Sequence, residues 1–413
     1  MKKVIVAGGG PAGMMAAAVA ARQGANVDLL EKKDAVGKKL AITGKGRCNL
    51  TSAAENDRFM AGYACNGRFL FSALNDFSNH DLIEFFAAHG LQCKVERGQR
   101  VFPQSDQAMD VVNILHQNLI SSGVKVKKNM PVKALYIEHN TIKGIETEKG
   151  KLHSDAVIIA TGGMSYPGTG STGDGYRWAK AAGHHIINPR PGLVPLVTEE
   201  SWVKELQGLS LKNVRVSSYR ADGKKINEEF GEMLFTHFGV SGPIILSMSR
   251  DIGEYLFSAQ HKVKLVLDLK PALDDQQLDQ RLQRDLAKYA RRQFKNALDE
   301  LLPRKFIPVI INLSKIDPDK ECHQVTRDER KKLLHLLKYF ELSIVKTRPL
   351  AEAIVTAGGV DVKEVNPRTM ESRLLKGLFF AGEILDVDGY TGGFNLQAAF
   401  STGFVAGKNA ALL

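Results

Sequence analysis

Apolar residues along this chain gather in short runs that end in glycine. Lys3–Gly8 (KVIVAG) is a β-branched run, Pro11–Gln23 is Ala-rich with helical character, and ANVDLLE (25–31) resumes as a strand. Two apolar strands joined by a helix predict a parallel βαβ unit. DAVIIATGG (155–163) reads as a second buried strand, preceded by polar hairpin-like segments over 125–153. GLFFAGE (377–383) is a third, leading through a glycine loop into a helix over NLQAAFSTGFVAGKNAALL (395–413).

Between about 191 and 345 the pattern changes. PRPGLVPL opens the segment with three prolines, and the alternation in VRVSSYRADGKKI and HKVKLVLDLK predicts a β-rich module. From Pro271 the spacing turns helical, with Leu278, Leu282, Leu286, Tyr289, Leu298 and Leu301 largely on one face. A second helix is expected from Thr326 to Phe340. The expected organisation is a discontinuous nucleotide-binding domain (1–190 and 346–413), a β-rich insertion (191–270 and roughly 303–345) and a small helical cap (271–340).

Composition narrows this only slightly. With 413 residues, 44% hydrophobic and 24% charged, the chain has room for two or three soluble domains. Its four cysteines form no C-x-x-C pair, so neither a disulfide framework nor a metal site is expected, and a cytoplasmic location fits. The Lys-led, apolar N-terminus mimics a signal peptide, but Gly8, Gly9, Gly10 and Pro11 interrupt it where a signal helix would be continuous. No run approaches the ~20 apolar residues of a spanning helix, so no membrane partner is expected.

Gly8-Gly9-Gly10-Pro11-Ala12-Gly13 is G-x-G-x-x-G, placed between a strand and a helix and followed by Glu31 at the end of the next strand. The first glycine permits the turn, the second lets a pyrophosphate approach the backbone, and the third allows close helix–strand packing. The helix N-terminus offers free N–H groups to phosphate, and Glu31 would accept the ribose hydroxyls. The strand ends Ala160-Thr161-Gly162 and Ala381-Gly382-Glu383 resemble those of two-dinucleotide-type flavoproteins, so FAD is the expected cofactor. Gly168–Gly173 matches G-x-G-x-x-G again but follows no strand directly; it reads as a structural turn or flavin-side loop. With no second dinucleotide domain visible, NAD(P)H as reductant would dock transiently over the flavin.

The stretches GKKLAITGKGRCNLT (37–51), GGMSYPGTGSTGDGY (162–176), GEMLFTHFGVSGP (231–243), TAGGVDVKEVNPRTMES (356–372) and LFFAGEILDVDGYTGGFNLQAAFSTG (378–403) together resemble the BaiN-like family of bacterial NAD(P)/FAD-dependent oxidoreductases, also called the aminoacetone oxidase family. The resemblance implies an α/β fold: a two-dinucleotide-binding-type, Rossmann-like FAD domain with an inserted β-barrel-like module and a small helical domain. Members are associated with amine oxidation, reduction of activated C=C bonds in steroids, and reduction of uridine in ribosomal RNA.

By that comparison residues 47–49 lie near the pyrophosphate or the isoalloxazine. Lys32, Lys38, Lys39 and Arg47 would surround the cofactor's charge, and Asn49 would hydrogen-bond flavin or substrate. Val132, Gly392, Gly393, Phe394 and Asn395 complete the candidate cofactor contacts. Backbone N–H groups at the start of the last helix can stabilise a reduced flavin. Cys48 has two readings: a general acid tuned by Arg47, or a small filler packed against cofactor. His237, in a glycine-rich turn, is either an acid or substrate anchor at the flavin face, or a backbone-bonded turn residue.

The net charge of +11 suits either a solvated surface or a polyanionic partner. Residues 276–340 hold fifteen Lys and Arg against nine Asp and Glu, a net of +6. Arg281, Arg284, Lys288, Arg291 or Arg292, and Lys295 recur at three- to four-residue steps, predicting a basic stripe on the cap helix at 276–302. Three functions remain open: a flavoenzyme reducing uridine in ribosomal RNA, a small-molecule amine oxidase or enone reductase, and a non-catalytic flavin-dependent RNA-binding factor.

Overall fold

The computed structural model describes residues 1–259 and 261–413, with side chains for all of these except residues 56 and 57. It divides into two compact units, Met1–Gly192 with Leu350–Leu413, and Leu193–Pro349.

The first unit is built on a five-stranded parallel sheet. Its order is Leu378–Phe380, Ala156–Ile159, Lys3–Ala7, Asn26–Leu30 and Lys125–Lys127. Val4, Val6, Ile158, Leu29 and Phe379 are all essentially inaccessible, as expected where helices cover both faces of a parallel sheet. The helix Pro11–Arg22 lies against the C-terminal helix Phe394–Leu412. A Cβ at Gly403 or Gly407 would stand 2.4 or 2.3 Å from the carbonyl oxygens of Ala12 or Ala16. The two helices therefore touch backbone to backbone and run in the same direction, with both N-termini at the same end of the sheet. The polar segment before the second buried strand forms a three-stranded antiparallel sheet from Val132–Glu138, Thr141–Thr147 and Gly150–His153.

The second unit contains a closed six-stranded barrel of Leu196–Thr198, Gly239–Ser241, Lys225–Thr236, Ser210–Tyr219, Val263–Asp268 and Phe340–Thr347. The helix expected from Thr326 to Phe340 is present as Arg327–Lys338, and the part of the β-rich insertion assigned from about 303 is helical over Ile307–Ser314. Pro308 in a first turn and the Thr326–Glu329 capping box favour these helices. Nor is the helical part a separate core: Leu278, Leu282, Leu298 and Leu333 share one apolar cluster with the barrel residues Val216 and Phe235.

The basic stripe is broken as well. The helix Asp275–Lys288 stops at Tyr289, and Leu298 and Leu301 reach the core only after the chain turns. Arg291, Arg292 and Lys295 are off its axis. Arg281 pairs with Asp285 at 2.8 Å, Lys288 with Glu300 at 2.9 Å and Lys295 with Asp319 at 2.6 Å. Among the described residues, no helix is long and apolar enough to cross a membrane.

Candidate cofactor site

The first glycine loop carries the expected geometry. Gly8 has φ 114°, and a Cβ there would stand 2.4 Å from the Ala160 oxygen, so the turn is glycine-dependent. A Cβ at Gly13 would meet the Gly8 oxygen at 1.9 Å, whereas one at Gly10 would point into open space. The helix that starts at Pro11 has no side-chain cap and no acidic residue in its first turn. The first-turn amides are left for a ligand.

Glu31 is held across this loop. Its Oε2 accepts from the Gly9 amide and its Oε1 from the Lys33 amide, both at 2.8 Å. The second G-x-G-x-x-G packs beside this carboxylate. A side chain at Gly170 would come within 3.4–3.8 Å of Lys33, Lys32 and Glu31. Lys32 Nζ reaches Asp174 at 2.6 Å and also bonds Thr172. Val132 follows the turn in which the Met130 amide bonds the Glu31 carbonyl at 2.9 Å.

The cations expected around the pyrophosphate are engaged elsewhere. Lys38 pairs with Asp34 at 2.5 Å, and its hydrogen bond holds that carboxyl below its ordinary range. Lys39 bonds Glu383 at 2.8 Å and the Ser165 hydroxyl at 2.6 Å. Arg47 pairs with Glu96 and Asp106 and lies 4.2 Å over the Phe102 ring. Each of these cations therefore has a carboxylate partner within the protein.

Cys48 lacks what an acid needs. It is wholly buried, and desolvation pushes its thiol up to about 12 despite a Thr43 hydrogen bond. Arg47, the proposed tuning cation, is turned to its carboxylates. Asn49 is also occupied. With its amide oriented to satisfy both ends, it donates to the Thr51 and Val101 carbonyls and accepts from the Gly393 amide at 3.0 Å.

At the strand ends, Gly162 has φ 71°, and the Thr161 hydroxyl is buried without a partner. A Cβ at Gly382 would stand 2.8 Å from the Ala12 Cβ, so the third strand end lies against the first helix. Glu383 Oε1 accepts from the Thr356 amide at 2.8 Å and from Ser165 at 3.2 Å. Thr356 and Ser165 were missed as supports because hydrogen bonds across the fold leave no local spacing to read.

The last glycine loop ends in Gly392 (φ 135°) and Gly393 (φ 98°). Phe394 packs edge-on to Phe59 at 5.1 Å and to Tyr63 at 5.9 Å, and the Tyr63 hydroxyl donates to its carbonyl at 3.0 Å. Asn395 does not extend its amide toward a ligand; it accepts from the Gly389 N–H at 2.8 Å and donates to the Gly389 carbonyl at 2.7 Å. The C-terminal helix has neither a side-chain cap nor a first-turn acid. His237 belongs to the second unit, exposed in the turn between Lys225–Thr236 and Gly239–Ser241, its ring 4.9 Å from Phe238.

The site thus joins two uncapped parallel helix N-termini, a ribose-type carboxylate, an open glycine position and an unpartnered strand-end hydroxyl. Such a cradle fits FAD: Gly8–Gly13 would hold the pyrophosphate, Glu31 the adenosine ribose, and residues 382–393 the flavin end. Residues 2–409 match the family described as HI0933-like protein Rossmann domain. The chain is 34% identical over 416 residues to a 3-dehydro-bile acid delta(4,6)-reductase of Clostridium scindens, covering all of this chain and 99% of that one. It is 29% identical over 408 residues to a ribosomal RNA dihydrouridine synthase of Escherichia coli K12, covering 98% and 97% of the two chains. In fold it is similar to the 3-ketosteroid delta1-dehydrogenase of Sterolibacterium denitrificans, with a TM-score of 0.54 and 14% identity over the whole of both chains. The protein is an FAD-dependent oxidoreductase. It belongs to the HI0933-like family.

Proposed function

We propose that the protein reduces a carbon–carbon double bond conjugated to a carbonyl, and that its substrate is uridine in ribosomal RNA. The reaction type is supported by the names of two full-length relatives, a delta(4,6)-reductase of a 3-dehydro-bile acid and a dihydrouridine synthase. Dihydrouridine is uridine saturated at C5=C6, a bond conjugated to the C4 carbonyl. When bound, the flavin supplies the hydride, and a proton completes the second carbon. A nicotinamide donor, docking transiently, restores the electron pair. In this reading His237, exposed on its turn, supplies the proton.

The observation that carries the RNA assignment is the charge of residues 276–340, whose net +6 is over half of the chain's +11. Several of these cations are spent in ion pairs, but Arg284, Arg291, Arg292, Lys331 and Lys332 are exposed. Phosphate-tracking by six cations would give log K a slope against log salt of roughly −4 to −5. The target base would be flipped out or met before ribosome assembly. The second reading, a small-molecule enone reductase, is favoured by the 34% identity to the bile-acid reductase.

The test is an anaerobic mixing experiment with the reduced holoenzyme. Oxidation of the flavin by an unmodified rRNA fragment, with dihydrouridine formed, supports the assignment. Oxidation by a conjugated steroid ketone alone overturns it in favour of the second reading.

A further inference from the structure

The glycine loop before the C-terminal helix is held by two asparagines that do not follow one another in sequence. Asn395 closes a ring on Gly389 through both of its amide atoms, at 2.8 and 2.7 Å. Asn49 takes the Gly393 amide at 3.0 Å and anchors its own amide nitrogen on the Thr51 and Val101 carbonyls, at 3.0 and 3.1 Å. Gly393 is pressed onto this platform, since a Cβ there would stand 2.4 Å from the Thr51 backbone. The Gln397 amide closes the first helical turn on the Gly393 carbonyl at 3.0 Å.

These bonds have a directional consequence. With Gly393 fixed at both its amide and its carbonyl, the amides of Phe394, Asn395 and Leu396 have no intrahelical acceptor and a fixed heading. No acid in that first turn offsets their partial positive charge. Donors fixed in advance stabilise developing charge without reorganising, so their value depends on what holds them still.

We propose that Asn49 and Asn395 are positioning residues that clamp this helix start and thereby raise the reduction potential of the bound flavin. The clamp favours the reduced cofactor because the aimed amides meet negative charge that only the reduced form carries. Neither side chain touches the cofactor in this scheme. The inference rests on the FAD-dependent class of the protein and is independent of the substrate.

The experiment compares holoenzyme with Asn395→Ala and Asn49→Ala by spectroelectrochemistry, alongside the FAD dissociation constant of the oxidised form. Each variant is expected to lower the preference for reduced over oxidised FAD about tenfold, a midpoint shift of about 30 mV to lower potential for a two-electron couple. Oxidised-form affinity should change less than threefold. An unchanged potential, or equal loss of affinity for both forms, overturns the clamp and leaves these asparagines purely structural. Should a variant fail to fold, hydrogen exchange on the wild-type apoprotein decides. Protected amides at Gly389 and Gly393, with fast exchange at 394–396, support the proposal, and fast exchange throughout 389–396 overturns it. A wild-type protein that takes up no FAD would instead refute the class assignment.

Discussion

Lys39 and Glu383 meet at 2.8 Å across 344 residues of sequence. The lysine lies in the short helix Lys38–Ile42 and the glutamate just past the strand Leu378–Phe380, so the bond ties together two distant segments of the cofactor cradle. Both side chains are about one-fifth exposed, which discounts the pair's value below that of a fully buried one. Losing a hydrogen bond to a charged group costs ~1.5–3 kcal/mol. Lys39→Met and Glu383→Gln should each weaken FAD binding about tenfold, read by flavin fluorescence titration. Affinity within twofold of wild type would remove the pair from the cradle.

The two residues considered for the proton-donor role differ in burial. Cys48 is sealed and protonated well above neutrality, whereas His237 is exposed on its turn. Cys48→Ala is expected to keep its flavin spectrum and a turnover within about threefold of wild type. His237→Gln should lose about a hundredfold in turnover at unchanged FAD content. Alkylation mapped by mass spectrometry should modify the partly exposed Cys65 and Cys93 long before Cys48. Labelling of Cys48 at the rate of Cys65 would contradict its burial.

The first unit carries a buried titrating group away from the cradle. The His184 ring is fully inaccessible, with Nδ1 3.1 Å from Glu364 and Nε2 2.8 Å from Ser372. Desolvation lowers its pKa, and the Glu364 carboxylate only partly opposes this. A folded-state pKa below the unfolded value of about 6.5 means that the unfolded chain binds the extra proton as pH falls. The stabilisation is present above that pH and is lost as pH drops through the folded value. Thermal unfolding should therefore occur at lower temperature at pH 5 than at pH 7.5, and His184→Asn should flatten the difference. An unaltered pH dependence in the variant would assign the effect to other groups.

Much of the cradle was legible in sequence because its parts are local. G-x-G-x-x-G needs only a strand before it and a helix after it, and Gly8, Gly10 and Gly13 then take three distinct steric roles. What could not be read was which side chains answer one another across the fold. Lys38, Lys39 and Arg47 look like phosphate ligands as isolated cations, until Asp34, Glu383, Glu96 and Asp106 are seen beside them. Asn49 and Asn395 read in sequence as ligand-facing amides, whereas in the fold their amides hold backbone. The helical region misled in a different way: periodicity carried the leucine face past Tyr289, where a turn brings Leu298 back to the same core. A folded chain can satisfy a helical spacing without being one helix.

The exposed cations of the second unit allow a clean separation of substrates. Replacing Arg284, Arg291 and Arg292 together by Glu should weaken binding of an rRNA fragment at least tenfold at moderate salt. It should also make the salt dependence shallower by about two to three units. Reduction of a small conjugated ketone should be unaffected. Unchanged RNA affinity would leave the charge as an ordinary solvated face.

Nucleoside mass spectrometry of ribosomal RNA, from cells with and without the gene, tests the central claim most directly. Loss of dihydrouridine on deletion is expected, with recovery by the wild-type gene but not by a variant that binds no FAD. An unchanged dihydrouridine content in the deletion strain would contradict the assignment of ribosomal RNA as the substrate.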